Sequence, residues 1–194
     1  KRLGEGENVA SLHDRISLCL AYLGETAESW RSLGRALQLQ GEIQSPRRRY
    51  SIFYSAQEMA LYQGEPAVAL YFLDEAVEAA RAWGSMTAIA EALWSRSRVR
   101  YIAGREAEAL ADLREAQAHA SGIQCKALKE RIQGDILRVT AEARLDTDPS
   151  SAIQGLTSAL QAYQDTSYPD HLIPVLLARG RAYMSVGEEG RAEE

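Results

Sequence analysis

The apolar positions of this chain recur with the spacing of α-helices. Small and apolar residues return every three or four positions, and no segment alternates between apolar and polar residues for long enough to indicate a strand. The pattern predicts helix pairs at 9–23 with 26–40, 46–63 with 66–83, 86–103 with 106–120, and 125–145 with 149–163, then a helix at 171–186 and the start of another at 188. We therefore expect an all-α fold.

The helix pairs are copies of one unit. Gly24, Gly64 and Gly104 recur at a constant interval, each between two predicted helices. The second helix of each pair repeats three columns of residues: Ser29, Ala69 and Ala109; Leu33, Leu73 and Leu113; Ala36, Ala76 and Ala116. A fourth copy has Thr147, Ala152, Leu156 and Ala159 in these places, and a fifth has Gly187 and Ala192. This recurrence, with one slightly longer step before the fourth copy, predicts one repeat array over 1–194, of about four and a half helix pairs.

Helix packing explains the columns. A glycine in the turn accepts the left-handed conformation that ends a helix. Alanine side chains are small, so a neighbouring helix can approach that face closely. We therefore expect Ala76 and Ala116 where two helix backbones come close. Ser45 before Pro46 predicts a helix start, and we expect Pro174 within about the first turn of its helix. Lys1 at the start, and a helical pattern that continues to the end, lead us to expect a fragment of a longer protein.

The last copy carries a family resemblance. Gly180, Tyr183, Gly187 and Ala192 have the spacing of the tetratricopeptide repeat signature, and Leu156 with Ala159 fits its second helix. The chain resembles a long-helix, degenerate variant of that family from bacterial multidomain proteins. Its period of about 40 residues exceeds the family's period of about 34 residues, and the closing proline is absent. The signature tryptophan is replaced by His13, Phe53, Leu93, Ile136 and Leu176. The resemblance implies a right-handed superhelical solenoid of antiparallel helix pairs.

The resemblance also implies a binding groove lined by the first helix of each pair. The family's groove positions carry over as three columns: Tyr54, Trp94, Leu137 and Leu177; Glu58, Arg98, Ala141 and Arg181; Leu61, Tyr101, Arg144 and Met184. Aromatic and arginine side chains are the types enriched at binding hot spots. The predicted peptide-binding residues are Tyr54, Glu58, Trp94, Arg98, Tyr101, Arg144 and Arg181. In the alternative interpretation, Trp94 and Tyr54 are core residues of longer helices.

Charge is sorted between the two helices of each pair. The first helices carry Arg47, Arg48, Arg49, Arg96, Arg98, Arg100, Arg138, Arg144, Arg179 and Arg181, whereas the second helices carry Glu75, Glu78, Asp112 and Glu115. One interpretation is a basic groove that receives an acidic segment. The other is pairing of arginine with carboxylate between neighbouring helices, which at a surface contributes little per pair.

Composition narrows the functional classes. The net charge of −5 disfavours nucleic acid as a partner, and no apolar run reaches the roughly 18 residues of a membrane span. We expect Cys19 and Cys125 to be buried free thiols in a reducing cytoplasm. His13, His119 and His171 lie outside metal-ligand spacing of one another or of a cysteine. We expect no catalytic set, metal or cofactor.

These observations favour a scaffold module that binds a protein or peptide segment, rather than an enzyme. The alternative is a sensor or regulatory domain of a larger bacterial enzyme or transcription regulator. The run 176–183 resembles repeat arrays that precede caspase-like CHAT peptidase domains. Because the last pair lacks most of its second helix, Leu172, Leu176 and Tyr183 should have incomplete cover. Self-association through this end is therefore expected.

Overall fold

A computed structural model describes residues 5–163 and 169–187, with side chains described from 172 onward in the second range. Within these ranges all regular structure is helical. The helices are α1 (Glu5–Tyr22), α2 (Thr26–Gln38), α3 (Pro46–Tyr62), α4 (Pro66–Trp83), α5 (Met86–Ile102), α6 (Glu106–Ser121), α7 (Lys126–Glu142), α8 (Pro149–Tyr163) and α9 (Pro169–Ser185). A single 3₁₀ turn at Gln40–Glu42 follows α2. The predicted all-α class is confirmed.

The helices pack in sequence order. The tightest neighbours are the predicted pairs α1 with α2, α3 with α4, α5 with α6, and α7 with α8. The pairs are joined where α4 contacts α5 and α8 contacts α9. The first helices also contact one another, as between α5 and α7 and between α7 and α9. Short-range contacts of this kind are what a repeat array predicts.

The predicted helix bounds agree with the structure to within four residues, and the largest difference is at α1, which begins at Glu5 rather than at 9. Helix α7 ends at Glu142 rather than at 145, and residues 143–147 form a turn. Helix α9 begins at Pro169, so Pro174 lies in its second turn, where a missing N–H removes an intrahelical hydrogen bond. The expectation of a first-turn proline was therefore wrong. The helix predicted from 188 lies outside the described residues.

The repeat step that is longer than the others, at the fourth copy, lies in a different place from the one predicted. First helices α3, α5, α7 and α9 begin at residues 46, 86, 126 and 169, and second helices α4, α6 and α8 begin at 66, 106 and 149. The extra length of the fourth copy therefore lies in the turn between α7 and α8. The predicted groove columns placed it before α7, which shifted every α7 residue in those columns toward the end of the helix. Arg138, not Ala141, is the counterpart of Arg98.

The turns confirm the role of the repeated glycines. Gly24, Gly64 and Gly104 have φ angles of 79°, 76° and 73°, the left-handed region that side chains disfavour. The turn after α7 has no such glycine. Instead, the amides of Thr147 and Asp148 both donate to the Arg144 carbonyl, and Asp148 Oδ1 then accepts the Ser151 amide to begin α8.

The three residue columns are the buried faces of the second helices. No residue in them exposes more than 6% of its surface, and Ala36, Ala76, Ala116 and Ala159 expose none. Such complete burial at alanine means that the neighbouring helix lies directly against the backbone. The expectation of close helix contacts at Ala76 and Ala116 agrees with this burial.

Both cysteines are exposed free thiols, so the expectation of burial was wrong. Helix α1 buries Ala10, Asp14 and Ser17, and Cys19 lies two positions after Ser17, on the opposite side of the helix. Cys125 precedes α7 and occupies its exposed cap position. Neither position is on a packed face.

The last described helix is only partly covered. Ile173 and Leu177 each expose 60% of their surface and Leu176 exposes 43%. Leu172 and Tyr183 are half-buried. No helix in the described part of the chain is long and apolar enough to cross a membrane.

Substitution in the alanine columns tests the helix contacts. Ala116→Leu should lower the free energy of unfolding by roughly 1–3 kcal/mol, because the added methyl groups meet a packed neighbour. Ala111→Leu, on the exposed side of the same helix, should change it by less than about 0.5 kcal/mol. Urea denaturation measures both. Equal effects of the two substitutions would contradict the assignment.

Candidate functional site

A cavity of about 430 Å³ lies across three successive first helices, and we name it the α5–α7–α9 cleft. It is lined by Arg98, Tyr101, Ile102, Arg138, Val139, Glu142, Ala143, Leu145, Pro174, Leu177, Ala178 and Arg181. Apolar side chains and three guanidinium groups therefore share one concave surface. Pockets of this composition are the usual form of a binding site.

The three arginines of the cleft are one column of the repeat. Arg98, Arg138 and Arg181 each occupy the thirteenth position of their helix, α5, α7 and α9. Arg138 is 7% exposed and donates from Nη1 to Glu142 Oε1 at 2.6 Å. Arg98 and Arg181 are exposed, and no carboxylate of the described residues forms an ion pair with either. The cleft thus holds two available cations beside a paired one.

The neighbouring arginines of α5 are paired with carboxylates. Arg96 donates to Asp112 from Nε at 3.0 Å and from Nη2 at 2.7 Å, and Arg100 donates to the same carboxylate at 2.7 Å. Asp112 is 3% exposed. Burial disfavours the charged form of Arg96, but the hydrogen bonds and charge of Asp112 outweigh it and raise the pKa of that guanidinium. The pairing interpretation therefore holds for Arg96 and Arg100, on the side of α5 away from Arg98.

Two of the three predicted aromatic residues, Trp94 and Tyr54, lie between first helices rather than free in the cleft. Trp94 is half-buried against the main core, and its indole Nε1 donates to the Asp135 carbonyl of α7 at 3.0 Å. The guanidinium over its ring is that of Arg138, at 5.7 Å, not that of Arg98. Trp94 therefore joins α5 to α7.

Tyr54 has the same role one repeat earlier. Its hydroxyl bonds to Ser95 Oγ at 3.1 Å, which connects α3 to α5, and its ring lies 5.3 Å from that of Tyr50. Burial raises the pKa of the Tyr54 phenol. Tyr54 and Trp94, which were predicted to line the groove with Arg98, instead form a Tyr50–Tyr54 pair and a Trp94–Arg138 pair.

The remaining predicted residues lie in three different parts of the structure. Tyr101 lines the cleft and donates its hydroxyl to the Ala143 carbonyl just after α7. Arg144 lies in the turn after α7, where it donates to Ser151 Oγ at 3.0 Å. Glu58 lines another cavity, between α1, α2 and α3. Of the predicted residues, Arg98, Tyr101 and Arg181 are those that share the cleft.

Sequence reasoning did not select Arg138 for the site. The signal was present, because Arg138 follows Arg98 at the same interval that separates Gly64 from Gly104. Placing the extra length of the fourth copy before α7 put Ala141 in that column instead.

The cleft offers guanidinium donors beside apolar side chains. A guanidinium can hold a carboxylate through two parallel hydrogen bonds, and the adjoining apolar side chains can bury an aliphatic or aromatic group. Within residues 5–163 and 169–187, no group of three His, Cys, Asp or Glu side chains is placed to hold a metal ion. No protein-family model and no curated protein matches the chain.

The Asp112 pairing can be tested by removing the carboxylate. Asp112→Ala should lower the free energy of unfolding by roughly 3 kcal/mol, because it leaves two poorly exposed guanidinium groups without their shared partner. Asp74→Ala is the matched control, since its side chain is 58% exposed and its pair should contribute less than about 1 kcal/mol. Urea denaturation compares the two variants. A cost below about 1 kcal/mol for Asp112→Ala would be evidence against a buried pair.

The position of Trp94 leads to a second prediction. Trp94→Ala should lower the free energy of unfolding by about 3 kcal/mol, since it removes core contacts and the bond to α7. Trp94→Phe keeps the ring packing and should cost only about 1 kcal/mol, the usual value of one hydrogen bond. Thermal unfolding followed by circular dichroism measures both. A Trp94→Ala variant as stable as the parent chain would mean that Trp94 is not part of the core.

Proposed function

We propose that this chain is a binding module for a protein or peptide segment, and that the α5–α7–α9 cleft is where the segment binds. The segment carries an acidic side chain or a terminal carboxylate beside an apolar side chain. The chain acts by binding rather than by catalysis.

The observation that carries this proposal is the arginine column of Arg98, Arg138 and Arg181. The cleft holds these three guanidinium groups against the single carboxylate of Glu142, in a chain whose net charge is −5. Arg96 and Arg100 are neutralised within the fold, whereas Arg98 and Arg181 have no ion pair among the described residues. A local positive field on an acidic protein selects acidic partners and speeds their association.

Apolar contact would supply the rest of the affinity. Ile102 and Leu177 expose 65% and 60% of their surface at the edge of the cleft, and Tyr101 adds a half-exposed ring. Exposed apolar side chains grouped beside unpaired cations are a common composition of interaction sites. Arginine and tyrosine are the residue types that contribute most at such sites.

We further propose that the helix pairs stack into a right-handed superhelix of the tetratricopeptide kind, with the first helices on its concave side. Support comes from the nearly constant step between first helices and from the cleft itself, which is lined by the same helix position in α5, α7 and α9. In such a stack the arginine column would run along the groove. An extended segment could then meet Arg98 and Arg181 with different residues.

The charge requirement can be tested with peptides displayed on phage and selected against the immobilised chain. Selected peptides should contain Asp or Glu close to Leu, Ile, Val or Phe. The double variant Arg98→Glu and Arg181→Glu should bind a selected peptide at least about tenfold more weakly, and the loss should shrink at high salt. Isothermal titration calorimetry measures both affinities.

Arg114→Glu is the matched control for this experiment. Arg114 is exposed on the second helix α6 and outside the cleft, so the same charge change there should leave the affinity within about twofold. Peptides without acidic residues, or an equal loss in the control, would contradict the proposal. Circular dichroism confirms that each variant keeps its helical content.

A further inference from the structure

A second cavity, of about 310 Å³, lies between α1, α2 and α3 at the other end of the described chain. It receives one aromatic ring from each of these helices: Tyr22, Trp30 and Tyr62. The carboxylate side chain of Glu58 completes its wall, with apolar contributions from Leu18 and Met59. Three rings and one acidic group around a small space are the composition of an aromatic cage.

None of the three rings pairs with another aromatic ring within the described part of the chain. Tyr22 and Tyr62 are 89% and 86% exposed, and neither they nor Trp30 takes part in a ring pair there. The other two tryptophans each have a guanidinium over the ring: Arg47 lies 5.5 Å from Trp83, and Arg138 lies 5.7 Å from Trp94. Trp30 has none among the described residues, and its buried Nε1 lacks an acceptor. The rings of Tyr22 and Tyr62 are therefore open to a cation, whereas Trp30 also packs against the core and meets the cavity with the part of its ring that lines it.

The charge around Glu58 favours a cation in this cavity. Desolvation by its neighbours raises the pKa of the Glu58 carboxyl, although the residue as a whole is exposed, and the negative charges of Glu91 and Asp14 raise it further. No basic side chain of the described residues forms an ion pair with Glu58. The carboxyl-terminal ends of α1 and α3, which carry partial negative charge, meet at the cavity beside the amino-terminal end of α2. A bound cation would stabilise the ionised carboxylate.

The cage is specific to the first two repeats. One repeat further along the chain, the equivalent positions hold Leu70 in place of Trp30, Arg98 in place of Glu58 and Ile102 in place of Tyr62. In α5, α7 and α9 these helix positions form the basic cleft, whereas in α1 and α3 they line an acidic aromatic cavity. The two sites therefore select groups of opposite charge.

From these observations we infer that the α1–α2–α3 cavity binds a quaternary ammonium group, such as the trimethylammonium of choline or of a trimethylated lysine. A primary ammonium needs three hydrogen-bond acceptors. A trimethylammonium group has no N–H to satisfy and spreads its charge over methyl groups, which suits aromatic walls. This binding is independent of the segment proposed for the cleft.

The test is a titration of the ¹⁵N-labelled chain with choline, followed through the indole N–H resonances of its three tryptophans. Trp30→Phe assigns the Trp30 resonance by its disappearance. That resonance should shift and saturate, whereas the Trp94 resonance should not, because its N–H is bonded to the Asp135 carbonyl. The neutral isostere 3,3-dimethylbutan-1-ol should bind at least about tenfold more weakly than choline. Equal binding of the two compounds, or no shift of the Trp30 resonance, would overturn the inference.

Variants separate the cage from a general effect on the fold. Tyr62→Ala should weaken choline binding about tenfold without loss of helix content, since this side chain is almost fully exposed. Tyr71→Ala removes another exposed tyrosine, on α4, and should leave binding unchanged. Glu58→Gln should weaken binding, and the double variant Arg98→Glu and Arg181→Glu should not. Unchanged binding in Tyr62→Ala would also overturn the inference. A trimethyllysine peptide and phosphatidylcholine vesicles are titrated separately. Whichever of the two binds more tightly identifies the source of the trimethylammonium group.

Discussion

The close contact between the two helices of each pair is the constraint on which the rest of this structure depends. Ala36, Ala76, Ala116 and Ala159 have no exposed surface, so a neighbouring helix lies against the backbone of each second helix. A larger residue would separate the helices, and a polar one would bury an unsatisfied group. Because each pair is held in the same way, equivalent positions of successive first helices come to lie side by side.

That alignment determines which arginines are paired with carboxylates and which share the cleft. Arg96 and Arg100 project toward the second helices, where Asp112 and Asp74 neutralise them. Arg98, between them in sequence, projects to the other side of α5 and joins Arg138 and Arg181. One helix thus uses arginine both to fasten its own pair and to present a charged surface. The same helix position holds Glu58 in α3, so the sign of the surface changes along the array.

Much of this arrangement could be predicted from the sequence, and the errors have identifiable causes. The alanine and leucine columns lie on second helices, where burial is nearly complete, and they located those helices well. The first helices carry no equally strict column, so the columns could not show whether the extra length of the fourth copy precedes or follows α7. Trp94 and Tyr54 were ambiguous because a half-buried aromatic ring can belong to a core and to a surface. The cysteines were misjudged from their usual burial, although Cys19 falls off the buried stripe of α1.

The central claim is the register of the first helices, since it decides which arginines share the cleft. Nuclear Overhauser contacts of the Trp94 indole N–H measure it directly. The structure predicts strong contacts to the backbone protons of Asp135 and Ile136, because the indole bonds to the Asp135 carbonyl at 3.0 Å. Contacts to the backbone protons of Arg138 and Val139 in place of those of Asp135 and Ile136 would contradict this register and the arginine column that follows from it.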